Sequence, residues 1–317
     1  MRASILSLGE AVIDFIPAAT EGEGGYRPCL GGSPYNVARA LGRLDIPAEF
    51  GLALSTDMFG DQFMEGLAQS QVGTRFLERL DAPSTLGFVS LDRTEPAYAF
   101  YDTGAADRIC TGIPDDDALA PVGLLHFGSI ALAREPAASA YETLFLREAG
   151  GRRLVSIDPN IRASHIRDET AYRARLDSLL SQADIIKISG ADLEWLKPGV
   201  SHDSAAAAWL QGRARFVVIT QGKDGVSGWS RVARGHADAI PTEVVDTVGA
   251  GDSFTAGFLA GLHDRDLLSP ETLGDPSGDA IASVLSCGQM VASATCARRG
   301  ANAPWRKELP GFGSLRF

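Results

Sequence analysis

Cysteine is scarce in this chain and widely spaced. The four cysteines are Cys29, Cys110, Cys287 and Cys296, and no pair has the CxxC spacing of a zinc or redox site. We therefore expect small buried thiols in a reduced, cytoplasmic protein. Residues 1–8 also lack the long apolar region and small-residue cleavage site of a signal peptide, which agrees with that location.

Long apolar runs and an excess of positive charge are missing too. No stretch approaches the roughly 18 consecutive apolar residues of a membrane span, so we expect no membrane partner. The 29 basic residues against 40 acidic ones leave a formal charge of −11, which repels nucleic acid. An anionic ligand would therefore have to be held by local backbone donors or by a metal ion.

The length and composition are those of an ordinary globular protein. Of the 317 residues, 45% are hydrophobic and 22% are charged. A single core stops growing at about 250–300 residues, so we expect one large domain with a smaller appendage. Two strand pairs separated by polar turns, within residues 11–28 and 86–102, are the candidates for this appendage.

The second half of the chain alternates between strands and helices. Short, continuous apolar runs occur at residues 124–127, 154–157, 185–188 and 216–220, and each is followed by a segment of helical length. This pattern predicts a parallel sheet that is covered on both faces. Because ligands bind outside the carboxyl ends of such strands, the segments that follow these runs are candidate sites.

A glycine-rich turn at residues 246–254 (DTVGAGDSF) joins a predicted strand at residues 243–245 to a helical segment. Glycines flanking a small residue let backbone N–H groups converge, and the helix dipole favours an anion at the same point. Asp252 would lie beside that anion, where its carboxylate can take a proton from a hydroxyl that attacks a phosphoryl group. The alternative is a tight turn in which Asp252 only caps the helix.

Two segments carry a family resemblance. Residues 246–254 and residues 31–42 (GGSPYNVARALG) resemble the two signatures of the ribokinase-like (PfkB) carbohydrate kinases, and the resemblance extends from about Gly9 to Pro304. It implies a single kinase domain over residues 1–317, with a Rossmann-like three-layer αβα fold, a parallel central sheet and a small β-sheet lid. The lid would be formed by residues 11–28 and 86–102.

The resemblance also implies cofactors and partners. It implies ATP and Mg²⁺, activation by K⁺, and a homodimer formed through the lid. Gly249, Ala250 and Gly251 would form the anion hole, and Asp252 would be the catalytic base. The monovalent cation would be held by the backbone of two loops, one at Asp246 and Val248 and the other at Gly300.

The expected substrate residues are spread over the first half of the chain. The Asn36 amide can donate to and accept from vicinal hydroxyls, although it could equally be a solvated residue at a helix start. By the resemblance, Gly32 and Asn36 contact the sugar, and Asp14 accepts bonds from sugar hydroxyls.

Three further positions are assigned to the substrate. Phe100 lies on a predicted strand and could cover a sugar or simply pack within the hairpin. Together with Ala106 and residues 32–36, it makes the chain most similar to the bacterial fructokinases within the family. Arg162 follows a sheet strand and could reach a sugar or a phosphate, or form a surface salt bridge.

The nucleotide side is expected at two strand ends and on the last helix. The TxGxxG pattern of the family is met by Thr220, Gly222 and Gly225. The remaining positions that the resemblance assigns to ATP are Lys187, Ser189 and Gln289.

The chain departs from the family at the motif that orients Mg²⁺. The family pattern NxxE appears here as Ser189-Gly190-Ala191-Asp192. Asp192 can still offer oxygens to hydrated Mg²⁺, and Glu194 is an alternative. The shorter side chains put the geometry of this site in question.

These observations favour an ATP-dependent sugar kinase that phosphorylates a primary hydroxyl, with fructose as the expected substrate. The alternatives are 2-keto-3-deoxygluconate, whose carboxylate would need a cation such as Arg162, and ribose. A sugar-binding protein without catalysis is the alternative outside enzymes. A dinucleotide oxidoreductase is disfavoured because no GxGxxG follows the first strand.

Overall fold

The strands of the protein belong to two sheets. The computed structural model describes residues 3–20, 23–90 and 97–312. The strands in these residues are β1 (Ser4–Leu8), β2 (Val12–Thr20), β3 (Glu23–Gly31), β4 (Ala48–Ser55), β5 (Gly73–Leu80), β6 (Thr85–Ser90), β7 (Ala97–Tyr101), β8 (Val122–Gly128), β9 (Leu154–Asp158), β10 (Ile185–Ser189), β11 (Phe216–Thr220), β12 (Val226–Trp229) and β13 (Arg234–Ala237).

Ten α-helices lie between and after these strands in the described residues. They are α1 (Ser33–Arg43), α2 (Met58–Gln69), α3 (Ala106–Ile109), α4 (Ala137–Glu148), α5 (Glu169–Gln182), α6 (Gly190–Leu196), α7 (His202–Gln211), α8 (Ala250–Asp264), α9 (Pro270–Leu273) and α10 (Gly278–Cys296). Short 3₁₀ turns occur at Ser129–Ala133, Ala163–His165, Gly222–Asp224 and Arg306–Glu308.

The large sheet is the centre of the molecule. Its strand order is β13-β12-β11-β10-β9-β8-β1-β4-β5, and its strands are parallel from β5 to β11. The hairpin β12–β13 adds two antiparallel strands at one edge. At least four consecutive buried residues in each of β8, β9 and β10 produce the continuous apolar runs that were visible in the sequence.

Helices cover both faces of this sheet. On one face Leu6, Phe127 and Val217 pack against α4, α5 and α7, and on the other Ile5, Leu124 and Phe216 pack against α1, α8 and α10. The predicted three-layer fold with a mostly parallel central sheet is therefore confirmed. Its layers place the carboxyl ends of β1, β8 and β9 side by side, which is where the first pocket described below lies.

The small sheet contains the two predicted strand pairs. Its order is β3-β2-β6-β7; β2–β3 and β6–β7 are antiparallel pairs, and β2 joins β6 in parallel. Residues 21–22 and 91–96 of the predicted turns lie outside the described residues. In the register of this sheet, Asp14 of β2 pairs with Gly87 of β6, and Gly87 pairs with Phe100 of β7. These three positions therefore lie on the same face of the small sheet.

Several local predictions were wrong or missed. Residues 243–245 were expected to form a strand, but this segment is irregular, and Val244 and Val245 are more than half exposed. The edge strands β5 and β13 were missed, and so was β12, which lies next to β13. In β5 the residues are only partly buried and include charged side chains, so the strand lacks an apolar run. Among the described residues, no helix is long and apolar enough to cross a membrane.

Candidate active site

Two pockets open at the carboxyl edge of the large sheet. The first has a volume of about 350 Å³, and its described lining residues are Glu10, Val12, Asp14, Gly32, Ser33, Asn36, Phe100, Ser129, Ile130, Asn160, Arg162, Thr247, Val248, Gly249, Gly251 and Asp252. The second, of about 590 Å³, includes Thr220, Gly222, Lys223, Gly225, Ile240, Val244, Thr247, Ala250, Gly251, Phe254, Gln289 and Cys296. The pockets meet at Thr247 and Gly251.

The turn that was predicted to form an anion hole lies between the two pockets. Gly249 has a φ of 75°, a left-handed conformation that suits glycine, and it caps α8, whose first residue is Ala250. A Cβ at Gly249 would lie 2.6 Å from the Cβ of Ala301, so only glycine fits against that loop. The first backbone N–H groups of α8 therefore lie at the junction of the pockets, where an anion is favoured.

Asp252 is in the first turn of α8 and is only 9% exposed. The Ser33 hydroxyl donates to its Oδ1 at 2.6 Å, and Asn36 Nδ2 donates to its Oδ2 at 2.9 Å. Burial raises the pKa of Asp252, while these two hydrogen bonds oppose the increase. The carboxylate is thus held in a fixed position by α1, in the pocket wall next to the anion hole.

The structure shows a contact of Asn36 that the sequence did not predict, and its predicted contact with the sugar stays a prediction. Its amide nitrogen is engaged by Asp252, whereas its Oδ1 is buried without a hydrogen-bond partner among the described residues. One side of the amide therefore orients the Asp252 carboxylate, and the other remains an acceptor in the first pocket. Gly32 also lines this pocket, and a Cβ there would lie 2.5 Å from the Glu10 carbonyl oxygen.

Glu10 is a site residue that sequence reasoning missed. It is buried, and its carboxylate accepts from the Ser33 N–H at 3.2 Å and from the Ala131 N–H at 3.0 Å. Burial raises its pKa, and Arg108 opposes that rise. Glu10 thereby ties the start of α1 to the turn after β8. The one available signal was an acidic residue directly after the first buried strand.

Asp14 lies on the pocket face of the small sheet. A Cβ at Gly31 in the adjacent strand would lie only 2.3 Å from Asp14 Oδ2. The Asp14 carboxylate therefore occupies the space that a side chain at position 31 would need. Burial raises the pKa of Asp14 to about 7; nearby Arg162 opposes this rise, and Glu10 and Asp252 add to it. Asp14 therefore titrates in the neutral range.

Two of the other three predicted substrate positions reach the first pocket. Phe100 and Arg162 line it, and Arg162 Nη1 donates to Asn160 Oδ1 at 2.8 Å. The Phe100 ring packs edge-on against His165, with 4.7 Å between ring centroids. Ala106 does not line the pocket: it is buried on α3, where its N–H donates to the Pro83 carbonyl.

The predicted ATP residues divide into two groups. Thr220, Gly222, Gly225 and Gln289 line the second pocket together. Lys187 and Ser189 line neither pocket. Lys187 is buried, and its Nζ lies 2.6 Å from Asp158 Oδ2.

The altered metal motif forms the start of α6. Ser189 caps this helix by accepting from the Asp192 N–H at 3.0 Å, so its hydroxyl has a structural partner. Asp192 Oδ1 accepts from the Ile161 N–H at 3.1 Å, and burial and nearby Asp158 raise its pKa. The alternative ligand Glu194 is exposed and accepts from the Gly199 N–H. In residues 3–20, 23–90 and 97–312, no three His, Cys, Asp or Glu side chains group as metal ligands.

The predicted cation loop is cross-linked by the Asp246 side chain. Its Oδ1 accepts from the Val248 N–H at 3.0 Å, and its Oδ2 accepts from the Gly300 N–H at 2.8 Å. Both N–H groups are thereby satisfied by one carboxylate. The two loops that were expected to hold a monovalent cation are therefore adjacent. Ala301, next to Gly300, packs against Gly249.

Comparisons with known proteins agree with this geometry. A family model described as pfkB family carbohydrate kinase matches residues 2–308. The chain is 43% identical over 270 residues to a fructokinase of Rhizobium leguminosarum bv. trifolii, covering 84% of this chain and 81% of the relative.

Two solved structures share the whole fold. A fructokinase from Xylella fastidiosa with bound ATP is 26% identical, with a TM-score of 0.84 and coverage of 99% of this chain and 98% of that one. A fructokinase from Vibrio cholerae, described with fructose, ADP and a calcium ion, is 25% identical, with a TM-score of 0.81 and coverage of 98% and 99%. Because the family model matches nearly the whole chain and the Rhizobium leguminosarum relative is 43% identical to it, the chain belongs to the pfkB family of carbohydrate kinases.

Proposed function

We propose that this kinase transfers the γ-phosphoryl group of ATP to a primary hydroxyl of fructose. The observation that carries the proposal is the junction of the two pockets at Thr247 and Gly251, with Asp252 beside it. A sugar in the first pocket and a nucleotide in the second would meet at this point. The named relatives, and the fructose and ADP described for the Vibrio cholerae protein, support this pair of ligands.

Asp252 is suited to activate the attacking hydroxyl. The hydroxyl oxygen forms a bond to the γ-phosphorus while its proton passes to the Asp252 carboxylate. The bond from the γ-phosphorus to the bridging oxygen breaks, and its electron pair stays with ADP. The N–H groups after Gly249 stabilise the charge on the transferring oxygens, because they are oriented before the reaction begins.

Cations complete the proposed site. Asp192 would hold Mg²⁺ through water. The fit is supported by the neighbouring Asp158 carboxylate, which is buried and whose Oδ1 has no hydrogen-bond partner among the described residues. When bound, Mg²⁺ neutralises negative charge on the phosphate oxygens. K⁺ would lie at the backbone of Asp246, Val248 and Gly300, whose loops are adjacent around the Asp246 side chain.

The charge of the first pocket favours a neutral sugar. Glu10, Asp14 and Asp252 line it with three carboxyl groups, and Arg162 is its one basic residue among those described. A ketoacid would bring a further carboxylate close to these groups, and like charges in a poorly hydrated site repel. Arg162 Nη1 is already occupied by the Asn160 side chain and by backbone carbonyls.

A panel of acceptors tests the substrate proposal. Fructose, ribose and 2-keto-3-deoxygluconate are supplied with ATP and Mg²⁺, and ADP release is followed for each. We expect fructose to have the highest kcat/KM. A higher value for the ketoacid, with Arg162→Ala more damaging than Asn36→Ala, would show that the pocket recognises a carboxylate. Omission of K⁺ or Mg²⁺ from the fructose reaction tests the cation assignments.

The small sheet is proposed to act as a lid and as a dimer contact within a single kinase domain. Its inner face carries Asp14 and Phe100 into the first pocket. On its outer face Phe88 stacks on Phe15 and is contacted by Tyr26 and Tyr101, which are 53% and 66% exposed. A second copy of the chain would cover this aromatic surface. Sedimentation equilibrium should give twice the monomer mass.

A further inference from the structure

A third pocket lies at the amino ends of β4 and β5, away from the two pockets described above. It has a volume of about 330 Å³ and is lined by Arg43, Asp45, Gln71, Trp305, Arg306 and Lys307. These residues come from the end of α1, from the turns that precede β4 and β5, and from the segment after α10. Because α1 has 11 residues and begins at the first pocket, its length of about 15 Å separates the two sites.

The wall of this pocket concentrates positive charge, although the chain as a whole has a formal charge of −11. The Nε groups of Arg39 and Arg43 donate to the same Ser70 hydroxyl, at 3.4 and 3.3 Å. Two guanidinium groups that converge on one hydroxyl repel each other. Burial, together with nearby Arg39 and Arg298, lowers the pKa of Arg43 to about 10. An anion beside Arg43 would relieve this repulsion.

A second arginine that lies over a tryptophan ring shows which charge is missing. Arg173 Cζ lies 3.8 Å from the centre of the Trp195 ring, and this arginine pairs with Glu169. Arg43 Cζ lies 5.6 Å from the centre of the Trp305 ring, but Arg43 forms no ion pair among the described residues. Its hydrogen-bond partners there are neutral oxygens. Arg43 therefore lacks the carboxylate that its counterpart has.

Two carboxylates near the pocket are engaged elsewhere. Asp264 pairs with Arg306, and Glu308 pairs with Arg298. Lys307 is exposed and forms no ion pair in the part of the chain that the structure describes. An anion in the pocket would supply the missing counter-charge both to this lysine and to the arginine over the tryptophan ring.

The remaining lining residues favour a ligand that also carries hydroxyl groups. Asp45 would repel a bare anion placed beside it, but its carboxylate can accept from a hydroxyl, and the Gln71 amide can both donate and accept. The pocket volume of about 330 Å³ is close to the 350 Å³ of the first pocket, for which a hexose is proposed. The space is therefore sufficient for a sugar that bears a phosphate.

We propose that this third pocket binds a sugar phosphate. Arg43 and Lys307 contact the phosphate group, and Asp45 and Gln71 contact the hydroxyl groups of the sugar. The site shares no lining residue with the first or the second pocket. Its occupation does not require that the protein phosphorylate any sugar, so its test is independent of the proposed function.

Tryptophan fluorescence tests this assignment, because Trp305 lines the third pocket and no tryptophan is among the described residues that line the other two. The wild type is titrated with fructose 6-phosphate, inorganic phosphate or fructose at constant ionic strength. The part of the change that Trp305→Phe abolishes is the signal of the pocket. We expect this signal to saturate with fructose 6-phosphate, to report about fivefold weaker binding of inorganic phosphate, and to be absent with fructose.

The absence of a saturable signal with fructose 6-phosphate at millimolar concentrations would overturn the proposal. Equal affinity for inorganic phosphate would show that the pocket does not recognise the sugar, which also overturns it. A signal of the same size with fructose would show that the phosphate is not needed, with the same consequence.

Arg43→Gln removes one of the two cations, and Arg173→Gln is its matched control, because Arg173 also lies over a tryptophan but has its own carboxylate partner. We expect Arg43→Gln to bind fructose 6-phosphate on the order of tenfold more weakly and Arg173→Gln to bind it within about twofold of the wild type. Lys307→Gln, at an exposed residue, should weaken binding about fivefold and decides the question if Arg43→Gln does not fold. Unchanged affinity in the folded variants of Arg43 and Lys307, or an equal loss in Arg173→Gln, contradicts the assignment.

Discussion

The two pockets of this kinase are built in different ways although they share a wall. The first contains Glu10, Asp14 and Asp252, three carboxyl groups whose pKa values are all raised by burial. The second is larger, and its described lining consists mainly of apolar side chains, small residues and hydroxyl groups, with Lys223 as its charged residue. The proposed function assigns the chemistry to the first pocket, which presents fixed charges, and the nucleotide to the second, which is recognised mainly by its shape.

Fixing charges in the first pocket requires a dedicated framework. Asp252 is held by Ser33 and Asn36, and Ser33 is held in turn by Glu10. Each of these bonds joins segments that are far apart in the chain, so a change to one partner is transmitted to the others. The second pocket depends on glycine turns and apolar surfaces instead, and we expect it to tolerate side-chain losses better.

The largest effect is expected from Asp252→Asn. The amide cannot accept the hydroxyl proton, so kcat should fall by about a hundred- to ten-thousand-fold. Because Asp252 lines the first pocket only, calorimetry should show ATP affinity within about twofold of the wild type. If Asn36 rotates its amide, its unpartnered Oδ1 can accept from the new side chain, so the variant should fold normally.

Asn36→Ala is the matched variant for this prediction. It keeps the base but removes one of the two bonds that orient it, so kcat should fall on the order of tenfold. Retention of more than about a tenth of the wild-type kcat by Asp252→Asn would show that another group takes the proton.

The local part of the first pocket was predictable from the sequence, and its framework was not. The glycine turn and Asp252 are adjacent in the sequence, so a short sequence motif is enough to identify them. The bond from Ser33 to Asp252 joins residues 219 positions apart, and the bond from Ala131 to Glu10 joins residues 121 apart. Such partners become visible only when the sheet order brings β1, β8 and α8 together.

The failed prediction at residues 243–245 has a different cause. Its β-branched residues are typical of a strand, but a strand needs a partner with free backbone groups. Here the Val245 N–H donates to the Cys296 carbonyl at the end of α10, and the valine side chains remain exposed beside the second pocket. Strand propensity describes the preference of single residues. The structure of this segment was decided instead by its contact with the end of α10.

An intermediate effect is expected from the protonation of Asp14. Its pKa of about 7 lies well above that of an ordinary aspartate, so it is mostly protonated below pH 7, and a protonated carboxyl group accepts from a sugar hydroxyl more weakly than a carboxylate does. The fructose KM should therefore rise as pH falls through about 7, by at most roughly tenfold for each further unit. Measuring KM between pH 5.5 and 8.5 checks this directly.

Asp14→Asn separates this titration from that of Asp252. The variant should have a raised but pH-independent fructose KM, while its kcat still falls at low pH as Asp252 becomes protonated. The same carboxyl group also affects folding. Its raised pKa stabilises the folded state at low pH, and that contribution is lost as pH rises through about 7. A KM that stays constant with pH in the wild type would contradict the role of Asp14.

The smallest effect is expected in the second pocket, from Gln289→Ala. Gln289 is 9% exposed on α10 and lines this pocket beside apolar residues, so its loss removes about one hydrogen bond to the nucleotide. The ATP KM should rise about fivefold, with kcat and the fructose KM unchanged.

Ser286→Ala on the same helix is the control, because that hydroxyl donates to the Ala282 carbonyl and does not line the pocket. A fall in kcat as large as that of Asn36→Ala would show that the nucleotide pocket is as tightly coupled to catalysis as the sugar pocket, and the contrast between shape and charge would not hold.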